Sequence, residues 1–221
     1  MNGKFITFEG PEGSGKSTHL KILAERLESR GIPVLLTREP GGTPLGETMR
    51  GILQHNLANE PPVDRAEVML FLASRAQLCE RVIRPALDAG TWVLCDRFTD
   101  STLAYQGYGR GFDLQTLRTL NAFSTANLAP DLTLLLDLPF ETGLSRVKQR
   151  GLATDRIEAA GEAFHRRLRE GFLQIAKEEP GRFAVINSDD TLENVAGKIW
   201  QKISTAFDSP RLLSTAFEKK P

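Results

Sequence analysis

Apolar residues fall along this chain in two alternating rhythms. Short, nearly unbroken runs occupy Lys4 to Phe8, Val34 to Leu36, Trp92 to Cys95, Leu132 to Leu136 and Phe183 to Ile186. They have no polar face to turn toward water, as in strands buried on both sides of a sheet. Between them, apolar positions recur at helical spacing. In Ser17 to Arg30, Leu20, Leu23, Ala24 and Leu27 share one face, and Gly31 closes the helix. Asp64 opens a long helix to about Pro85, with Glu67 three residues on, as in a capping box. Further helices fit Asp113 to Ala126, Phe140 to Arg150, Ile157 to Lys177 and Leu192 to Phe207. The alternation predicts an α/β fold, a five-stranded parallel sheet flanked by helices. No linker splits residues 1–207, so one domain is expected there. In the tail, 208–221, Leu213 to Phe217 echoes Ile203 to Phe207, and a terminal extension, partly docked or disordered, is the expectation.

Composition narrows the classes. Lys plus Arg number 28, as do Asp plus Glu, so no basic excess points to nucleic acid. No apolar run reaches membrane-spanning length and no signal-peptide pattern opens the sequence. Cys79 and Cys95 both sit in apolar stretches, which reads as reduced core thiols in a cytoplasmic protein. His19, His55 and His165 show no metal-ligand spacing with either cysteine.

The chemistry begins at Phe8 to Thr18, "FEGPEGSGKST". Gly10 to Ser17 fits G-x-x-x-x-G-K-[ST] between an expected strand and an expected helix, the context this phosphate loop requires. Glycines let backbone N–H groups close around phosphate oxygens, and the helix N-terminus adds positive potential. Lys16 would reach the terminal phosphates and Ser17 would offer its hydroxyl oxygen to Mg²⁺. The loop alone does not choose between motors, switches and kinases.

In an open parallel sheet, ligands bind beyond the carboxyl ends of the strands. Arg38 and Glu39 follow the second strand, with "REPGG" continuing as a loop, and Asp96 and Arg97 follow the third. Two guanidiniums beside a phosphate loop suggest a second anionic ligand; ion pairing with Glu39 and Asp96 is their alternative use. Phe71 and Arg75 share a helix face and could stack on and read a nucleobase, although spacing alone favours core packing for the ring. Ser101 to Gly111 reads as a binding loop with Thr102, Tyr105 and Gln106 as contacts, or equally as a helix start and a turn. Arg146, Lys148, Arg150 and Arg156 form a basic cluster around Gly151. It fits either a mobile segment that folds over phosphates or a solvated helix end.

Seven segments, "FEGPEGSGKST", "TREPGG", "FLASRAQ", "CDRF", "STLAYQGYGRG", "PDLTLLLDL" and "RGLATDRIE", occur in the order and spacing of the bacterial thymidylate kinases. The chain resembles that family from about Lys4 to Phe207. The resemblance implies a P-loop kinase fold with a short helical lid, about 146–160, and transfer of the γ-phosphoryl of ATP to thymidine monophosphate on the way to dTTP. It sets Gly10, Pro11, Glu12, Gly13, Ser14, Gly15, Lys16, Ser17 and Thr18 around ATP, with Mg²⁺ at Ser17 and Asp96. Arg38 and Arg97 match arginines at the acceptor phosphate, Phe71 the ring on thymine, and Arg75 the donor to a thymine carbonyl. Thr102 and Gln106 match base-side contacts, Tyr105 the residue that excludes a ribose 2′-hydroxyl, and Glu12 a carboxylate near the sugar 3′-hydroxyl. Some family members carry an arginine inside the phosphate loop; Pro11, Glu12 and Ser14 fill those places here, so the resemblance implies that the lid supplies the catalytic cation, with Arg150 and Arg156 as candidates beside Lys16 and Arg97. Phe98 departs from the family's usual Tyr or His. The resemblance also implies a homodimer, to which the long helix could contribute. Another nucleoside monophosphate kinase is the nearest rival reading. A P-loop regulatory ATPase is the rival from another class, and no Asn-Lys-x-Asp guanine reader occurs.

Overall fold

The computed structural model describes residues 3–55, 60–149, 161–207 and 212. Its sheet has the order β2-β3-β1-β4-β5, with β1 Phe5–Glu9, β2 Val34–Arg38, β3 Trp92–Asp96, β4 Leu132–Asp137 and β5 Phe183–Asn187. Every pairing is parallel. Each strand ends one or two residues beyond its apolar run, at Glu9, Arg38, Asp96, Asp137 and Asn187. The reason is physical. The hydrophobic pattern stops where the layered core stops, while the ladder continues into the rim where ligands bind. Arg38 and Phe8 both pair with Asp96, so the ends of β1, β2 and β3 are level.

Nine α-helical segments occur among the described residues: α1 Lys16–Glu28, α2 Pro44–His55, α3 Asp64–Leu78, α4 Arg84–Asp88, α5 Thr99–Thr102, α6 Leu114–Thr125, α7 Phe140–Gln149, α8 Glu162–Glu178 and α9 Leu192–Ala206. A π-helical turn, Cys79–Ile83, joins α3 to α4, so the long helix does reach Pro85. A second π-helical run, Leu103–Gly109, extends α5, so the segment expected as either loop or helix start is helical. Helix α2, which the sequence pattern did not predict, follows the expected "REPGG" loop. Thr43 Oγ1 caps it by accepting from Gly46 N, with Pro44 at the first helical position.

One expected cap does not form. Val63 precedes α3 without a side-chain cap, and Glu67 is fully buried rather than folded back on the helix start. Asp113 and Thr191 do cap α6 and α9, accepting from Thr116 N and Asn194 N.

Alternate strand residues point to opposite faces, which divides the core. Ile6, Phe8, Leu94 and Leu134 pack with Leu20, Leu23 and Leu27 of α1 and Ile199 and Ile203 of α9. Leu135 faces a second cluster with Leu72, Leu117, Leu168 and Phe172. Phe5, Val93, Cys95 and Phe98 make a third, with Leu78, Cys79 and Ile83. Phe98 is wholly buried, its ring 4.9 Å from that of Phe5 at 84°. Both cysteines are free and buried, as expected. Leu212 joins the first cluster; the rest of 208–221 lies outside the described residues.

Candidate functional site

β1 ends at Glu9, the chain reverses, and α1 begins at Lys16. A side chain on Gly13, at φ 74°, would run into the backbone of Gly143 on α7, and one on Gly143 would meet the carbonyl of Glu12. The loop therefore packs main chain against main chain on α7, which only glycines permit. Lys16 Nζ donates to Gly10 O at 3.0 Å, Pro11 O at 2.8 Å and Ser14 Oγ at 3.4 Å. Burial, aided by the nearby Arg97, pulls the Lys16 ammonium down to about 8. Ser17 Oγ donates to Asp96 Oδ2 at 2.5 Å, bringing a hydroxyl and a carboxylate together. No cluster of three metal-ligating His, Cys, Asp or Glu side chains exists among the described residues.

A cavity of about 590 Å³ opens beside this loop. Of the set expected from sequence, Glu12, Gly13, Gly15, Lys16, Ser17 and Thr18 of the loop line it together with Arg38, Phe71, Arg75, Asp96, Arg97, Thr102, Tyr105 and Gln106. Gly10, Pro11 and Ser14 do not line it; they hold Lys16 from behind.

Arg97 takes a left-handed backbone conformation, φ 70°, strained for a side chain branching into a cavity. Glu9 sustains it from below. Its carboxyl accepts from Phe98 N at 2.7 Å and Ser101 N at 3.2 Å, with Ser101 Oγ 2.6 Å away. Burial, reinforced by Asp100, raises the Glu9 carboxyl to about 8. The guanidinium thus projected donates to Glu12 Oε1 at 2.8 Å, Gly10 O at 3.2 Å and Ser101 Oγ at 3.3 Å. Tyr105 donates its hydroxyl to the same Glu12 oxygen at 2.5 Å. Burial would raise the Glu12 carboxyl, but Arg97, Lys16 and Tyr105 outweigh it and hold it below the usual range. Buried Glu12 Oε2 has no partner among the described residues, an acceptor waiting for a donor.

The alternative pairing of Arg38 with Glu39 and Arg97 with Asp96 does not occur. Exposed Arg38 is paired with Glu47 at 2.9 Å, whereas Glu39 turns inward to Arg75. Arg75 is 1% exposed. Its Nε donates to both Glu39 oxygens, Nη1 to Asn121 Oδ1 at 2.7 Å, and Nη2 to Phe98 O and Thr102 Oγ1 at 3.1 and 3.0 Å. The Phe98 position thus contributes its carbonyl here while its ring fills the core. Phe71 is half-buried, lines the cavity and joins none of the three apolar clusters. Gln106 Nε2 donates to Glu67 Oε1 at 3.2 Å.

Sequence reasoning missed Glu39, Glu67, Ser101 and Asn121 as parts of this site. Glu39 stood in "REPGG" beside an arginine and Glu67 at cap spacing, so each had a local use; Asn121 carries no local signal. In the basic cluster, Arg146 Nη1 donates to Gly13 O at 3.4 Å and Ser188 O at 3.2 Å, tying α7 to the loop and to the end of β5. Arg150 and Arg156 lie outside the described residues.

The arrangement suits two anionic ligands meeting in one cavity. One would be seated by main-chain amides and Lys16, the other by Arg97 and Arg38, with an aromatic ring and a fixed guanidinium to its side. Comparison with known proteins agrees. A family model for thymidylate kinase matches residues 8–199. Thymidylate kinase of Carboxydothermus hydrogenoformans is 52% identical over 199 residues, 90% of this chain and 96% of its own. That of Syntrophotalea carbinolica is 48% identical over 213 residues, 93% and 97% of the two chains. The crystal structure of thymidylate kinase from Ehrlichia chaffeensis superposes with a TM-score of 0.74 at 34% identity, covering 92% of this chain and 99% of that one. With phosphate loop, arginines and a half-buried aromatic ring lining one cavity, and likeness extending over nearly the whole sequence, this chain belongs to the thymidylate kinase family.

Proposed function

We propose that this protein transfers the γ-phosphoryl group of ATP to thymidine monophosphate, giving thymidine diphosphate. The observation that carries the proposal is the single cavity lined by Lys16 and Ser17 of the phosphate loop together with Arg97, Arg75 and Phe71. Lys16 leaves the loop carbonyls for the donor's phosphates. Arg97 and Arg38 hold the acceptor phosphate, whose own oxygen is the nucleophile, so no strong general base is required. Arg38 gives up an exposed pair with Glu47 to do so, at little cost. Phe71 stacks on the base, while Arg75, Thr102 and Gln106 meet its edge. Arg75 lines the cavity, and its Nη1 carries a second hydrogen beside the one given to Asn121. Glu12 Oε2 accepts from the sugar 3′-hydroxyl, and Tyr105, fixed by Glu12, closes the space a ribose 2′-hydroxyl would need.

Ser17 and Asp96 offer the hard oxygens that Mg²⁺ takes alongside nucleotide phosphates. When bound, the ion neutralises charge on the transferred group. Residues 1–207 act as one domain, in which a lid over 146–160 carries Arg150 and Arg156 onto the phosphates and excludes water. Arg146 is its anchor to the loop.

The working form is a homodimer. Ala66, Met69 and Ala73 expose an apolar face along α3, and Phe123 on the adjoining α6 is 86% exposed. No helix among the described residues is long and apolar enough to cross a membrane, and we place the reaction in the cytoplasm, where free thiols such as Cys79 and Cys95 persist.

ADP release, measured with and without thymidine monophosphate, tests the reading. Release that depends on this acceptor supports it. Release without any acceptor would instead indicate a regulatory ATPase, and preference for a purine monophosphate would overturn the base assignments.

A further inference from the structure

Glu67, Phe71 and Arg75 follow one another at intervals of four on α3, and all three line the cavity. Phe71 offers only a ring, so the residues on either side must decide which base edge fits. Arg75 presents donors alone. Glu67 is fully buried and reaches Gln106, which is itself 3% exposed. Arg110 Nη2 stands 3.0 Å from the same Glu67 Oε1 and 3.1 Å from Oε2, and Arg110 also pairs with Asp64.

The two ends of a glutamine amide have nearly the same shape and opposite chemistry. Which end enters a site depends on what binds the other. A carboxylate accepts and cannot donate, so Glu67 takes Nε2 and leaves Oε1 for a ligand in the cavity. An acceptor at Gln106 and a donor at Arg75 complement a pyrimidine with a carbonyl at C4 and N–H at N3. A 4-aminopyrimidine shows the reverse order, a donor at C4 and an acceptor at N3. Bound here it would set donor against donor and acceptor against acceptor, all desolvated, the kind of mismatch that discriminates strongly.

We propose that Glu67 is the positioning residue for base selection: by fixing the Gln106 amide with its oxygen toward the cavity, it makes the site choose 4-keto over 4-amino pyrimidine monophosphates. The inference rests on the reading above, in which Arg75 and Gln106 meet the base edge.

Steady-state kinetics with deoxythymidine, deoxyuridine and deoxycytidine monophosphates tests it. In Glu67→Gln the new amide can offer either end to Gln106, which is then free to turn over. The kcat/KM preference for deoxythymidine over deoxycytidine monophosphate should narrow by about tenfold or more, one lost hydrogen-bond contrast. Deoxyuridine monophosphate, with the same keto edge, should keep its standing relative to the thymidine nucleotide. Glu67→Met, which removes the acceptor and keeps the volume, should narrow the preference similarly. A residue serving stability alone would lower all three rates together and leave their ratios fixed, and that result overturns the inference. Gln106→Leu separates the two layers. If it narrows the preference while both Glu67 variants do not, the role of Glu67 is wrong and the base-edge reading stands. If Gln106→Leu leaves the preference intact, the base-edge reading fails through Gln106 and the inference falls with it.

Discussion

The two walls of the cavity are built on different principles. The phosphate loop is local: the three acceptors of Lys16 lie within six residues of it. The arginine wall is assembled across the chain: Arg97 and Tyr105 reach back to Glu12 of the loop over 85 and 93 positions, and Arg75 lies 46 from Asn121. The loop holds Lys16 on its own carbonyls, contacts a phosphate can replace without disturbing the core. The arginine wall holds its guanidiniums on buried carboxylates and amides that were fixed when the protein folded. Damage to the loop should therefore fall on chemistry, and damage to the wall on stability as well.

Lys16→Ala should give the largest effect, with turnover falling by about 10³ or more, the scale of removing a cation from phosphoryl transfer. Its melting temperature should stay near that of the parent, because burial already disfavours the ammonium. Coupled turnover assays and thermal unfolding decide the matter together; a variant that is dead because it is unfolded would erase the contrast. Glu39→Ala should behave the other way. It leaves the Arg75 guanidinium buried without its carboxylate, a loss of about 3–5 kcal/mol. At roughly 2–4 °C per kcal/mol for a chain of this size, the melting temperature should drop by about 6–20 °C. Urea unfolding that shows no loss would mean the wall is less fixed than its hydrogen bonds imply.

The same division explains what could be read from the sequence. The loop was legible because its chemistry is contiguous: Gly10, Lys16 and Ser17 state their spacing outright. The strands were legible from their apolar runs, but their polar ends, Glu9, Arg38 and Asp96, fell outside a pattern that registers only the core. Helix α2 carries start signals in Thr43 and Pro44, but Gly46 and Gly51 lower its helix propensity and mask it. Glu67 was misread as a cap. A carboxylate three residues into a helix has a local use, and only Gln106 and Arg110, 39 and 43 residues away, show that it turns inward. Phe71 could not be assigned from spacing, since an aromatic residue on a helix face serves a core or a cavity equally well. Neither π-helical run carried a signal, because one inserted backbone turn leaves composition unchanged.

The smallest effect should separate the walls by pH. Glu9, beneath Arg97, keeps its proton in the folded protein to about 8, where an ordinary glutamate loses it near 4.5. Between those values the folded chain binds more protons than the unfolded chain, so this group makes stability fall as pH rises. Glu9→Gln keeps the shape and removes the titration. Its melting temperature relative to the parent should therefore climb through that window and level off above about 8. After discounting for relaxation around a buried charge, a gain of about 1–2 kcal/mol, or roughly 2–8 °C, is the expected scale. Calorimetry across the range measures it. Lys16 responds with the opposite sign and later. The unfolded chain holds that proton to 10.5 and the folded one only to about 8, so above about 8 the loop gains stability as the burial cost lifts. A Glu9→Gln difference that stayed flat with pH would mean the carboxyl is ionised throughout. Arg97 would then stand on an ionised Glu9 as well as on Glu12, and the uncharged support beneath it would be ruled out.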